Sequence, residues 1–367
     1  MKKKVLISLL IGFAASFTGI YFSFKNVPFS DLYIYLKSIN YMWIFPSVAV
    51  VILSFVARAL RWQIILTSFR EIGFKQAFHP LMIGFMINCI LPGRVGEIAR
   101  PAMTKKNTGI PFSTGIATIA AERVFDMVML LGLFAWTITT IDFNSEATIK
   151  FGDFKLNRAV FESIGITMIK LNLLIIIGVL LISIKTLRNF SFKLIMNVPS
   201  FFFFLTENGK KIVIKKFCAP AVDFLENISI GFSLIKYPVK ILSCVALSIA
   251  VWCLQAYSYY IVSLGCPGIS LSYMNIVAVM TIICFFIALP SVPGYWGLWE
   301  AGGVFALALF GISSKDAAGY TLINHAVQVF PVILVGLLSS VSVSVNIWQI
   351  SYRENLLASP VQGKGEE

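Results

Sequence analysis

Apolar runs alternate with short polar connections along the whole chain, and six of them reach the roughly 20 residues that a helix needs to cross the hydrocarbon core: 5–24, 41–60, 113–138, 164–184, 241–263 and 316–346. Each predicts a transmembrane helix. The run that follows Lys2, Lys3 and Lys4 is longer than the apolar core of a signal peptide, so 5–24 reads as a retained span. Two further apolar stretches are broken. Residues 78–92 end in Leu91-Pro92-Gly93-Arg94, and residues 274–311 are cut by Pro290-Ser291-Val292-Pro293-Gly294-Tyr295-Trp296-Gly297.

Charge decides what the broken stretches are, because Lys and Arg of short loops accumulate on the cytoplasmic side. The bias is cleanest if 78–105 enters from the cytoplasm and returns to it, while 274–313 does the same from outside. Arg58, Arg61, Arg94, Arg100, Lys105, Lys106, Lys185 and Lys210 then lie on the cytoplasmic side with both termini. The expected fold is an all-α polytopic transmembrane helical bundle with two inverted re-entrant helical hairpins. One membrane domain spans 1–350. Its first half is about 41–138, its second about 241–346, and a flexible cytoplasmic tail covers 351–367.

The broken stretches resemble each other: Pro92-Gly93-Arg94-Val95-Gly96-Glu97 against Pro293-Gly294-Tyr295-Trp296-Gly297-Leu298-Trp299-Glu300. Paired Gly/Pro-interrupted segments in two halves point to a midplane binding site between inverted repeats. Between the halves, 187–240 mixes Phe201 to Phe204 with Lys210, Lys211, Lys215 and Lys216. Such a mixture fits helices lying in the cytoplasmic interface, and equally a connecting loop with topogenic lysines.

Composition narrows the class of protein. Apolar residues make up 58% and charged residues 13% of the 367, against about a quarter charged in a soluble domain. The net charge of +13 sits between apolar spans, which suits topology and attraction to anionic headgroups rather than nucleic acid. Six scattered cysteines lack metal spacing, and no nucleotide, zinc or serine-hydrolase motif occurs. No cofactor and no metal are expected.

Three constellations carry candidate chemistry. Asn88, Pro92, Gly93, Arg94, Gly96, Glu97 and Arg100 surround the first break, where freed backbone groups require protein or a wet cavity around them. If the segment after Gly93 is helical, Arg94, Glu97 and Arg100 share a face, and the helix start with Arg94 suits a phosphate. The alternative is snorkelling topogenic arginines paired with Glu97. Glu122, Arg123 and Asp126 lie inside a span, where each charge costs on the order of 2.5–3.5 kcal/mol facing lipid, so they face protein. They read as a binding cluster or as an ion-pair knot between helices, with Arg123 reaching Asp126 at i+3. The third group is Pro293, Gly294, Tyr295, Gly297 and Glu300, joined by Asn324, His325 and Gln328 on the last span. A lone membrane carboxylate such as Glu300 needs a partner or a proton. His325 reads first as an interhelical hydrogen-bonding residue, and Trp296 and Trp299 as interface anchors.

Asn88-Cys89-Ile90-Leu91-Pro92-Gly93-Arg94-Val95-Gly96-Glu97-Ile98-Ala99-Arg100, then Glu122-Arg123-Val124-Phe125-Asp126, then Pro293-Gly294-Tyr295-Trp296-Gly297-Leu298-Trp299-Glu300, taken in order, resemble the flippase-like family known as the lysylphosphatidylglycerol synthase transmembrane region. The likeness extends over essentially the whole chain. In the larger members, the multiple peptide resistance factors, such a domain is joined to one that transfers lysine from tRNA to phosphatidylglycerol. The resemblance therefore implies the lipid-translocating half. Many members of the family that this chain resembles carry an arginine in the final span where this chain has His325 and Gln328.

The expected function is lipid translocation in the bacterial cytoplasmic membrane. The cargo is a phospholipid, an aminoacylated phospholipid or a lipid-linked sugar, and the partners are membrane lipids with anionic headgroups, with a lipid-modifying enzyme as a further partner. The alternatives are a membrane-embedded headgroup transferase of the phosphatidylglycerol lysyltransferase type, or a non-catalytic partner of a glycosyltransferase.

Overall fold

Prolines set the helix ends that matter most. In the computed structural model, which describes residues 13–343 apart from 15, 26, 141–148, 152–153, 157, 202–205, 232–233, 235–236 and 290–291, α4 (Phe74–Ile90) stops at Leu91. That residue takes the extended backbone favoured before a proline. Helix α12 (Tyr273–Ala288) stops in the same way at Leu289, before Pro290. The chain resumes as α5 (Gly96–Thr108) and α13 (Leu298–Ala308).

Inside each break a Pro-Gly-X triplet places two consecutive residues in the left-handed region: Gly93 at φ 80° and Arg94 at 55°, Gly294 at 70° and Tyr295 at 64°. Among the described residues, Arg94 and Tyr295 are the only non-glycine residues with positive φ. That conformation costs an L residue on the order of 1–2 kcal/mol. Its recurrence at matching places supports the internal repeat read from the two Pro-Gly sequences.

The remaining elements are helical residues 16–24 (α1), α2 (Phe29–Ser38), α3 (Ile44–Leu66), α6 (Phe112–Thr140), α7 (Arg158–Ser183), α8 (Lys185–Asn197), α9 (Glu207–Val213), α10 (Ala219–Gly231), α11 (Pro238–Leu264) and α14 (Ser314–Ser342). A short antiparallel ladder joins Ile149–Phe151 to Phe154–Leu156. The segments Tyr41–Leu66, Pro238–Leu264 and Ser314–Ser342 are long and apolar enough to cross a membrane. Helix α6, at 29 residues, is about 43 Å long but carries Glu122, Arg123 and Asp126. Helix α7 turns through 103° into α8, where the basic segment begins. The chain is thus an all-α, multi-pass membrane bundle. Residues 5–12, the end of the last expected span at 344–346, the tail and Phe202 to Phe204 lie outside the described residues.

Side-chain to backbone contacts fix which helix ends share a face. Helices α3 and α11 run antiparallel: the Asn40 N–H donates to the Gly265 carbonyl at 2.9 Å, Ser47 to the Ser258 carbonyl at 2.9 Å, and the Lys240 ammonium to the Thr67 carbonyl at 3.1 Å. At the Gly265 end, the Tyr35 hydroxyl donates to the Pro267 carbonyl and Gly268 abuts Asp316. At the Thr67 end, Arg70 donates to the Thr108 carbonyl. The α4–α5 pair therefore has its open end on the Thr67 face, and the α12–α13 pair on the opposite face.

The first complete span does not end at 60 with Arg58 and Arg61 in a loop; α3 continues to Leu66 with both arginines inside it, and Arg61 is buried. The helix can continue because Arg61 finds carboxylates on α6 and Arg58 lies against the rings of Phe55, Phe85 and Trp252.

Helices α4 and α5 meet backbone to backbone: a Cβ on Gly96 would lie 1.8 Å from the Gly84 carbonyl oxygen. Small residues permit such close approach in membrane packing. Gly96→Val should therefore cost about 2 kcal/mol or more, read as a lower midpoint of thermal unfolding in detergent. Gly93→Ala meets no atom within 4 Å and suffers only its φ of 80°. A Gly96→Val protein as stable as Gly93→Ala would contradict this packing.

Candidate functional site

The charges of α6 are shared out between two neighbouring helices. The Arg100 Nη2 donates to Glu122 Oε2 at 2.7 Å, and the Arg100 guanidinium lies 4.1 Å from the Trp62 ring centroid. The Arg61 Nη2 donates to Asp126 Oδ1 at 2.8 Å and its Nη1 to the Ser248 hydroxyl at 2.8 Å. Arg61 also stands 3.8 Å from Glu122. Arg61, Arg100, Glu122 and Asp126 are all buried. Ionised groups survive such burial only when each finds an opposite charge and hydrogen bonds.

Arg123 points elsewhere. It bridges Glu97 at 3.8 Å and Asp126 at 3.7 Å, and remains partly open. Its surroundings form a cavity of about 470 Å³. Arg58, Asn88, Arg94, Glu97, Arg123, Asp126, Gln255 and Gln328 give it polar groups. Phe55, Phe85, Trp252, Tyr259, Tyr295 and Trp299 give it rings, and Met127, Leu130, Leu131 and Leu171 extend it along α6 and α7 as an apolar wall. Arg58 lies 5.7, 6.0 and 5.9 Å from the rings of Phe55, Phe85 and Trp252. No ion pair within 4 Å among the described residues involves Arg58, and its buried Nε has no partner. The Arg94 Nη2 donates to the carbonyls of Ile287 and Ala288, each at 3.3 Å, satisfying the open end of α12.

The second break is held by a different pair. Glu300 Oε2 accepts the Gly297 N–H at 2.6 Å. Glu300 Oε1 lies 2.6 Å from His325 Nδ1, and His325 Nε2 lies 2.7 Å from the Gly294 carbonyl. Trp299 stacks on His325 with centroids 4.5 Å apart and planes 2° from parallel. Gln328 Oε1 accepts from Gln255 at 2.6 Å, and its Nε2 donates to Ser258 at 2.9 Å.

The structure thus brings Asn88, Arg94, Glu97, Arg123, Asp126, Tyr295 and Gln328 to one cavity. Pro92 and Gly93 form the first tip, and Pro293 and Gly294 belong to the second. Four details of the expected arrangement change. Arg94 precedes α5 instead of sharing its face with Glu97 and Arg100, because the left-handed turn redirects it. Arg100 is committed to Glu122 and Trp62 beneath the cavity, since full burial demands a partner. The helix start at Gly96 is not a vacant anion cradle, because Asn88 Oδ1 already accepts the Gly96 N–H at 2.8 Å. Trp299 is no interface anchor but a buried ring on His325. Glu300 gains the partner its burial requires, and His325 makes the interhelical bond expected of it. Arg58 was missed: an arginine near the end of an apolar run reads as topogenic, and only the pairing of Arg61 with α6 shows that this stretch faces inward.

Glu122→Gln should destabilise the protein by about 3 kcal/mol or more, because Arg100 is left buried without its counter-charge. Adding Arg100→Met should recover much of that loss. Thermal unfolding of the two single variants and the double variant in one detergent measures the coupling, and simple additivity would show that the pair does not hold α5 to α6.

Comparison with known proteins accounts for this arrangement at the level of family. Over 265 residues, 71% of this chain and 95% of the relative, the sequence is 22% identical to the UPF0104 membrane protein MJ1078 of Methanocaldococcus jannaschii. A stretch of 91 residues is 31% identical to the glycosyltransferase AglD of Haloferax volcanii, covering 24% of this chain and only 14% of that longer protein. The model of the family described as the lysylphosphatidylglycerol synthase transmembrane region matches residues 5–336, and the chain belongs to that family.

Proposed function

We propose that the protein moves an amphiphile with a phosphate-bearing headgroup across the cytoplasmic membrane, the headgroup passing through the cavity between the two broken helices. The observation that carries this reading is the surplus of guanidinium charge there. Arg58, Arg94 and Arg123 line the cavity against Glu97 and Asp126, and Asp126 already holds Arg61 at 2.8 Å. Arginines matched only in part by carboxylates favour an anion, and a guanidinium fork grips phosphate at two points. The apolar wall of Met127, Leu130, Leu131 and Leu171 suits acyl or prenyl chains, so one surface serves both ends of a lipid.

Sidedness follows from the distribution of charge. The face that carries Arg70, Lys75, Lys105, Lys106 and Lys240 is richer in cations than the face with Lys37 and Lys315, and we assign it to the cytoplasm. The likeness to a glycosyltransferase over part of the chain favours a lipid-linked sugar as a second cargo beside a phospholipid or aminoacylated phospholipid. Both cargoes present phosphate, so the same arginines would serve.

In liposomes with a fluorescent lipid and an impermeant quencher, Arg94→Lys and Arg58→Gln should slow lipid movement roughly tenfold or more, the scale of one lost charge-assisted hydrogen bond. Both proteins should remain folded. Parallel assays with a phospholipid, an aminoacylated phospholipid and a prenyl-phosphate sugar identify the cargo. If both variants match the parent, the cavity is not the headgroup site; if the parent moves none of these lipids, the translocator reading fails.

A further inference from the structure

The pair at the second break has a fixed proton inventory. The Gly294 carbonyl can only accept, so His325 Nε2, at 2.7 Å from it, carries a hydrogen. Glu300 Oε2 is occupied as acceptor of the Gly297 N–H. One more hydrogen must lie between Glu300 Oε1 and His325 Nδ1, which are 2.6 Å apart. It sits either on nitrogen, giving imidazolium and carboxylate, or on oxygen, giving neutral imidazole and carboxylic acid. Without it, two lone pairs would face each other in a site where His325 is 0% and Glu300 1% exposed, with a negative charge left uncompensated. Either form of the pair is neutral overall.

That shared proton also sets a backbone. Through His325 Nε2 and Glu300 Oε2 the pair grips both Gly294 and Gly297, the two glycines that bracket the turn. The glycines adopt φ values of 70° and 87° without steric cost, but Tyr295 between them, at 64°, is in a strained conformation that persists only when surrounding bonds impose it. Tyr295 lines the cavity, so the turn held by the pair is also part of the cavity wall.

The site and the cavity share a ring. Trp299 lines the cavity on one side and stacks on His325 on the other. Its buried Nε1 has no hydrogen-bond partner, nor has the hydroxyl of Thr321, one turn before His325 on α14. Buried polar atoms of this kind are where internal water is held. The other groups around the pair are few. Trp296 lies against His325 at 4.4 Å, Tyr259 of α11 stacks on Trp299, Tyr320 and Asn324 follow on α14, Cys284 of α12 neighbours Tyr259, Ser16 of α1 contacts the turn at Val292, and Cys89 of α4 presents its carbonyl to Gly294. Tyr295, on the cavity side of the turn, faces Arg94, Glu97 and Arg123. Among the described residues, no second acid or base makes a hydrogen bond or ion pair with Glu300 or His325.

We propose that Glu300 and His325 form a single-proton binding site that exchanges with the cavity, and that release of the proton loosens the turn at 293–297. The sign follows from the inventory: the turn is clamped at low pH, and loosens as pH rises through the release step, when the lone pairs at 2.6 Å repel. The proposal does not depend on which molecule occupies the cavity.

The chain has only two histidines, so His79→Gln leaves His325 as the sole imidazole signal in the full-length protein labelled with nitrogen-15 histidine and held in lipid nanodiscs. The expected spectrum at neutral pH shows either an imidazolium or a neutral ring protonated on Nε2 together with a carboxylic-acid infrared band that Glu300→Gln removes. Raising the pH should remove one proton in one step and, in the same interval, speed deuterium exchange at least several-fold in the peptide containing 293–300. Glu300→Gln, which keeps the shape and leaves His325 neutral, should show no such step. Three results would overturn the proposal: a neutral ring with no carboxylic-acid band at any pH where the protein is folded, a proton retained until unfolding, or a release step that leaves exchange at 293–300 unchanged.

Discussion

A helix broken inside a membrane exposes backbone groups that hydrocarbon cannot satisfy, and this constraint organises the molecule. Each break is closed by side chains from elsewhere. The carbonyls that α12 leaves open at Ile287 and Ala288 receive Arg94 from the other tip. The Gly96 N–H receives Asn88, and the second turn receives Glu300 and His325. The tips also touch, since Gly294 packs on the Cys89 carbonyl. Neither break is therefore stable alone. Their meeting point is where polar groups must converge, and the cavity follows from that convergence.

The buried charges of α6 have a supporting role. Glu122 and Asp126 hold Arg100 and Arg61, which fastens α5 and α3 to α6 and fixes the floor on which Arg58 and Arg123 stand. Floor and cavity divide one set of ionisable groups between holding helices together and offering charge to a ligand. Two arginines are neutralised in the floor; those at the surface of the cavity are matched incompletely, and the proposed preference for anions rests on that difference.

Much of this was legible in the residues. Pro92-Gly93 and Pro293-Gly294 announced the breaks because proline and glycine act through local sterics, which need no tertiary information. Glu300 had to be partnered because of its cost in an apolar run, and the partner was the histidine already singled out on the last span. Arg58 and Arg61 were misplaced for an equally physical reason. Loop arginines and buried arginines at the end of an apolar run look the same until the carboxylates facing them are known, and those lie on a helix some sixty positions away. The left-handed turn that swings Arg94 out of line with Glu97 and Arg100 was also invisible, because it depends on contacts with α12.

Opposed hairpins whose tips meet inside the protein are the central claim, and their sidedness tests it most directly. Single cysteines replacing Lys105 and Lys315, in a background freed of the six native cysteines, should react with an impermeant maleimide from opposite sides of sealed membranes. Lys105→Cys should label from the cytoplasm and Lys315→Cys from outside. Labelling of both from the same side would make at least one hairpin a full crossing and contradict the account.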